Sequence, residues 1–183
     1  MRVYLLIVFL ASFIFPGQAQ SPAAGHVEAH SYVNTYLHFT YTWPSILQPQ
    51  DPALLHFGPH PNPNEAVLFA ARQGNEPYGV LVLSEKLNAP WHKFAGFKDG
   101  PDLLRRIPIG QAPEAHFKIL ASKHTMTSDG LSVDELDYTV SGEFGSGITI
   151  RFGDYIALFK CEAASLEDLD TMTKSVLAVR RIK

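Results

Sequence analysis

A single cysteine in 183 residues, Cys161, leaves no internal disulfide to form, so packing alone must hold the chain together. Basic residues do not exceed acidic ones, 15 against 18, and without a basic excess the composition argues against nucleic-acid binding. No apolar run reaches the about 20 residues that a membrane-spanning helix needs. There is no Gly-x-Ser-x-Gly nucleophile elbow and no His-Glu-x-x-His metal motif. No short motif therefore spells out a reaction, and what is present speaks of compartment and fold.

Met1 and Arg2 precede Val3–Phe15, an apolar run broken only by Ser12, and Pro16, Gly17, Gln18 and Ala19 follow. This is the pattern of an export signal, cleaved after Ala19. The expected organisation is a signal peptide over 1–19, a flexible arm over 20–30 and a single domain over 31–183, delivered to a periplasm or secreted. No cysteine lies at the cut to carry a lipid. Cleavage removes Arg2 and no acid, so 14 basic residues face 18 acidic ones and the formal charge moves from −3 to −4.

From Ser31 onward, Val33, Thr35, Leu37, Phe39, Tyr41 and Trp43 alternate with more polar residues, which predicts one strand ended by Pro44. Six prolines between Pro44 and Pro63 exclude a central strand or a helix interior there. Strands are expected over Ala66–Arg72 and Gly79–Lys86, the second inside the sheet because Val80, Leu81, Val82 and Leu83 are apolar on both sides. Asp99 and Pro101 open a short helix that Pro108 closes. Further strands are expected over 115–126, 131–140, 147–152 and 155–162, an antiparallel meander, and Gly145, Ser146 and Gly147 read as a turn. Ser165 caps a terminal amphipathic helix reaching Arg180, with Leu166, Leu169, Met172, Val176 and Leu177 at helical spacing. The fold class is α+β, a central antiparallel β-sheet covered by helices with a C-terminal amphipathic helix.

The segment Tyr32, Val33, Asn34, Thr35, Tyr36, Leu37, His38, Phe39, Thr40, Tyr41, Thr42, Trp43, Pro44 resembles the opening of PsbP-like domains. Gly153, Asp154, Tyr155, Ile156, Ala157, Leu158 and Phe159, with Ala163 and the helix closing on Met172, Ser175 and Val176, is similar to the last strand and final helix of that family. The resemblance implies an α/β/α sandwich, a fold shared with a Ran-binding nuclear import factor. It also implies a non-enzymatic role, since the best-known members are accessory proteins of photosystem II. An exported chain would not meet Ran.

The residues themselves offer few sites. His26 with His30 falls in the expected flexible arm and His56 with His60 lacks a nearby third ligand, so no metal and no cofactor is expected. Glu135 and Asp137 share a strand face opposite Leu136, Tyr138 and Val140 and read as its solvated side. His116 and His124 read as solvent-facing, and Cys161 as a buried inert thiol. The irregular cluster Trp91, His92, Lys93, Phe94 and Phe97 is the candidate partner contact, aromatic rings beside basic groups. The expected function is an exported non-enzymatic accessory or binding module for an unidentified protein or small ligand. The alternative is an extracytoplasmic hydrolase whose site is assembled only in the fold.

Overall fold

Two strands, β6 (Gly79–Lys86) and β10 (Tyr155–Ala163), form the middle of the molecule. A computed structural model describes residues 21–23, 25–51, 63–76, 78–90, 95–107 and 116–182. In it β6 and β10 run antiparallel, with Val82 opposite Phe159 and Leu83 opposite Leu158. The apolar stretch of β6 divides between two clusters, Val80 and Val82 on one face of the sheet and Leu83 on the other. Beyond β6 lie β5 (Glu65–Arg72) and, at the edge, the short β4 (Gln48–Gln50). Pro49 sits in that edge strand, the one place in a sheet where a missing N–H costs little. The rest of the proline-rich stretch, 52–62, is outside the described residues.

On the other side of β10 the chain makes the expected meander through β9 (Glu143–Phe152), β8 (Ser132–Val140) and β7 (Lys118–Met126). The large sheet thus has seven strands, ordered β4-β5-β6-β10-β9-β8-β7. Ser141 and Gly142, at φ 51° and 92°, make the tight turn between β8 and β9, since a left-handed pair matches the twist of a hairpin. Gly145, Ser146 and Gly147 do not form a turn; they lie buried inside β9. A side chain at 145 would strike the Tyr138 ring, and one at 147 would strike Leu104, in helix α1 (Gly100–Leu104), and Ile107 just after it. The glycines are there for close approach, and composition alone does not distinguish that use from a turn.

A smaller sheet orders β1 (Gly25–Glu28), β2 (Ser31–Asn34), β3 (Phe39–Thr42) and β11 (Arg180–Arg181) as β1-β2-β3-β11. Two expectations are corrected here. Residues 25–28 of the expected arm pair with β2. The single strand expected over 31–43 is a hairpin, because Asn34 Oδ1 accepts the Leu37 N–H at 2.8 Å and His38 turns left-handed at φ 56°. Asn34 is fully buried, and its Nδ2 donates to Pro22 O at 2.7 Å and to Tyr32 Oη at 2.9 Å. After the turn the expected alternation holds, with Phe39, Tyr41 and Trp43 buried. Before it the phase flips, and Tyr32 faces the core where Val33 was expected.

Helix α2 (Leu166–Leu177) starts as its sequence requires: Ser165 Oγ accepts the Asp168 N–H at 3.1 Å and donates to its carboxylate at 2.8 Å. Leu169, Met172 and Val176 are buried in the cluster that β3, β9 and β10 share. The helix stops at Leu177, short of Arg180. Val179 is fully buried, and the Arg181 and Ile182 N–H groups donate to Asp129 Oδ2 and His38 O, each at 3.0 Å, which draws the end of the chain onto β3 as a strand. Together the elements make mostly antiparallel sheet with two short helices.

The close approach at Gly145 is testable. Gly145→Val should destabilise the fold by about 1–3 kcal/mol, the usual cost of overpacking, read as a lower denaturation midpoint in urea. An unchanged midpoint would mean that Tyr138 can move aside freely.

Candidate functional site

On one face of the large sheet, alternation and register bring Asp134 and Leu136 of β8 beside His124 and Ser122 of β7. Leu103 and Leu104 of α1 pack on the same face with Leu83, Leu136, Ile156 and Leu158. The Asp99 side chain caps α1 by accepting the Asp102 N–H at 2.8 Å, with Pro101 in the first turn. The helix has only five residues, so it covers part of the sheet and leaves a cleft of about 390 Å³ between itself and β7. Leu104, Leu136 and Ile119 floor that cleft, and Arg105, His124 and Asp134 rim it. β7 is the last strand of its sheet, and along it Ile119, Leu120 and Met126 are 53%, 44% and 60% exposed.

The rim carries one acid–base pair. His124 Nδ1 lies 2.8 Å from Asp134 Oδ1, on the exposed side expected of His124. Among the described residues no serine hydroxyl bonds that imidazole. Ser146 is fully buried, and its Oγ finds no partner among the described residues. Cys161 is fully buried, as expected, and burial pushes its thiol far up, so it is no nucleophile. His26 lies 3.8 Å from Glu28, and the His30 ring is 4.6 Å from Trp43. Among the described residues no group of three or more His, Cys, Asp or Glu converges.

Of the expected contact cluster, Phe97 is half-buried against the α1 apolar cluster, with the Arg106 guanidinium 4.6 Å from its ring centroid. Arg106 also donates to Ala95 O at 2.9 Å and to Asp102 Oδ2 at 3.2 Å. Asp102 in turn accepts the Lys98 N–H, and that bond, then the neighbouring Arg106, hold its carboxyl below the usual range. Trp91, His92, Lys93 and Phe94 lie outside the described residues.

The opposite face corrects the reading of Glu135 and Asp137. They are not a solvated side: Glu135 is 5% exposed, and Asp137 Oδ1 is buried with no hydrogen-bond partner among the described residues. Alternation failed because β8 is covered on both faces. Lys123, opposite on β7, reaches both carboxylates, at 3.2 Å to Glu135 and 2.6 Å to Asp137. Burial, and then Asp137, push the Glu135 carboxyl up against the pull of Lys123. The hydrogen bond that Lys123 donates to Asp137 leads in pushing its ammonium up. A second pair, unforeseen from sequence, lies opposite in register on β5 and β6, Glu65 and Glu85. Burial first, and then Glu65, push Glu85 up to about 9. The sequence signal was an acid in an otherwise apolar central strand.

No protein-family model matches the chain, and the curated proteins hold no match. Solved structures do: the solution structure of cyanobacterial PsbP (CyanoP) from Synechocystis sp. PCC 6803 covers 86% of this chain and 96% of its own at TM-score 0.55 and 14% identity. The chain has a PsbP-like fold. Within that PsbP-like fold the meander β7–β10 and helix α1 place the cleft, and no described helix is long and apolar enough to cross a membrane.

Two predictions follow from the acids. Glu85 binds its proton up to about pH 9 in the folded chain but only to about 4.5 unfolded. Folding therefore loses stability as pH rises between those values, by at most about 1.4 kcal/mol per pH unit. Glu85→Gln should flatten the fall of the urea midpoint between pH 5 and 9; an unchanged slope would assign it elsewhere. Lys123→Met should cost about 1–3 kcal/mol at neutral pH, towards the lower end because Lys123 is half exposed. The loss should shrink as pH falls, since the raised Glu135 carboxyl takes up a proton earlier than a free one, and shrink at neutral pH when Asp137→Asn is added.

Proposed function

We propose that this chain is an exported, non-enzymatic accessory module that holds a protein partner at the cleft between α1 and β7. The observation that carries the reading is the edge strand β7 of the large sheet, unpaired on its outer side among the described residues. There half-exposed Ile119 joins the apolar floor of a cleft with a charged rim, and Leu120 is half exposed next to it. Apolar side chains grouped at a rimmed cleft are the chemistry of a docking surface. The PsbP-like fold supports it, since the resemblance implies a non-enzymatic accessory role. The leader over 1–19, cleaved after Ala19, belongs to the same reading and places the working protein in a periplasm or outside the cell. So does the layered sandwich, with the helices covering the sheet. Of the aromatic and basic cluster expected to contact a partner, Phe97 joins the apolar cluster that floors the cleft.

The hydrolase reading has one observation in its favour, the His124–Asp134 hydrogen bond at 2.8 Å. It lacks a bonded nucleophile among the described residues, and a general base acts only on a group within its reach.

The two separate by affinity capture from the extracytoplasmic fraction. The wild-type chain, starting at Gln20, should retain one stoichiometric partner, and Ile119→Asp should cut its recovery at least tenfold without lowering the thermal midpoint. Undiminished recovery by Ile119→Asp would move the docking surface elsewhere. Turnover of an ester or phosphoester panel that disappears in folded His124→Ala would establish the hydrolase instead.

A further inference from the structure

A second cleft, of about 480 Å³, opens at another end of the fold, where the β2–β3 turn meets the β9–β10 hairpin. Three cationic or ionisable side chains line it: Arg151 from β9, Arg181 from β11 and His38 from the turn. Arg151 Nε donates to Gly153 O at 3.0 Å, and among the described residues neither arginine has a carboxylate within ion-pair distance. The remaining charged group at the cleft is Asp154. In a chain of net charge −3, two guanidinium groups at one cleft with no ion-pair partner among the described residues run against the average composition.

The frame is fixed from both sides. The Arg181 N–H is held by Asp129 Oδ2 and the Ile182 N–H by His38 O, each at 3.0 Å. Phe152 stacks on the fully buried Phe39, ring centroids 4.8 Å apart. Tyr36 and Tyr155 add two hydroxyls 3.5 Å apart. Guanidinium forks match the planar or tetrahedral oxygens of carboxylate and phosphate, and hydroxyls complete such a shell. The volume falls in the range of small-ligand pockets, about 300–1,000 Å³.

We propose that this cleft binds the oxyanion of a small ligand, a phosphate or carboxylate group, through Arg151 and Arg181, with the Tyr36 and Tyr155 hydroxyls beside it and Phe152 under its apolar part. The site is independent of the α1–β7 cleft, so either can fail without the other. Inorganic phosphate and citrate, each titrated against chloride at matched ionic strength, test it through the Nε–Hε signal of Arg151 and the amide of Gly153. Saturable shifts with phosphate, with citrate or with both are expected, and whichever saturates names the source of the oxyanion. Arg181→Gln should weaken that binding at least tenfold with an unchanged thermal midpoint, while Ile119→Asp leaves it alone. Shifts that merely track ionic strength, as chloride's do, would overturn the proposal. So would full affinity in both Arg151→Gln and Arg181→Gln, or saturation by a glutamate-rich peptide alone, which would assign the cleft to an acidic protein.

Discussion

An aromatic layer clamps the small sheet onto the large one, and the rest of the architecture is arranged around it. Tyr32, Phe39, Tyr41 and Trp43 of the β2–β3 hairpin and the residue after it meet Phe69, Phe152 and Phe159 of the large sheet, with ring centroids 4.8 to 6.4 Å apart. Each such ring removes a large apolar area from water, and tilted or offset pairs add to that. In a chain with no disulfide this burial is the main cohesive term. It also fixes α2, whose Met172 and Val176 enter the same cluster while Ser175 Oγ sits 3.1 Å from Tyr41 Oη. A face filled in this way has no room for substrate, which is why Ser146 and Cys161 are sealed in it.

The opposite face is covered differently. A five-residue helix cannot shield what a second sheet and a twelve-residue helix shield on the first. Among the described residues, the α1–β7 cleft is what the short helix leaves uncovered. Gly147 sets how closely that helix approaches, because Leu104 and Ile107 rest where its side chain would be. The shape of the cleft and the core packing thus meet in one residue.

Local pattern made some of this legible. The limits of β5 and β6, the burial of β6 on both faces, the Asp99 and Ser165 caps and the order of the meander all follow from alternation and capping, which act over a few residues. What escaped depends on contacts across the chain. Asn34 breaks its strand by bonding the backbone of Leu37, yet an asparagine in an alternating run looks like any polar outward position. Glu135 and Asp137 obey alternation and are still buried, because Lys123 on a neighbouring strand compensates their charge. Arg180 and Arg181 suit a helix C-terminus electrostatically, but burial of Val179 turns them into a strand. The aromatic and basic segment around Phe97 was legible as unusual, and Phe97 itself is a packing residue with a cation on its face.

Two acid pairs, each with one buried member, show how one sheet meets the same constraint in two ways. Taking two carboxylates out of water is untenable unless a proton or a cation intervenes. Glu85, with no cation beside it among the described residues, keeps a proton and shares it with Glu65. Glu135 and Asp137 lie next to the edge strand, where a lysine can reach in from solvent and place its ammonium between them. The choice follows position in the sheet: a lysine stem can span from the edge to the second strand, but not to the interior. The same geometry puts the guanidinium groups of Arg151 and Arg181 near the end of β9 and in the short β11, where long side chains keep their heads in water. Both clefts open at such strand ends and edges.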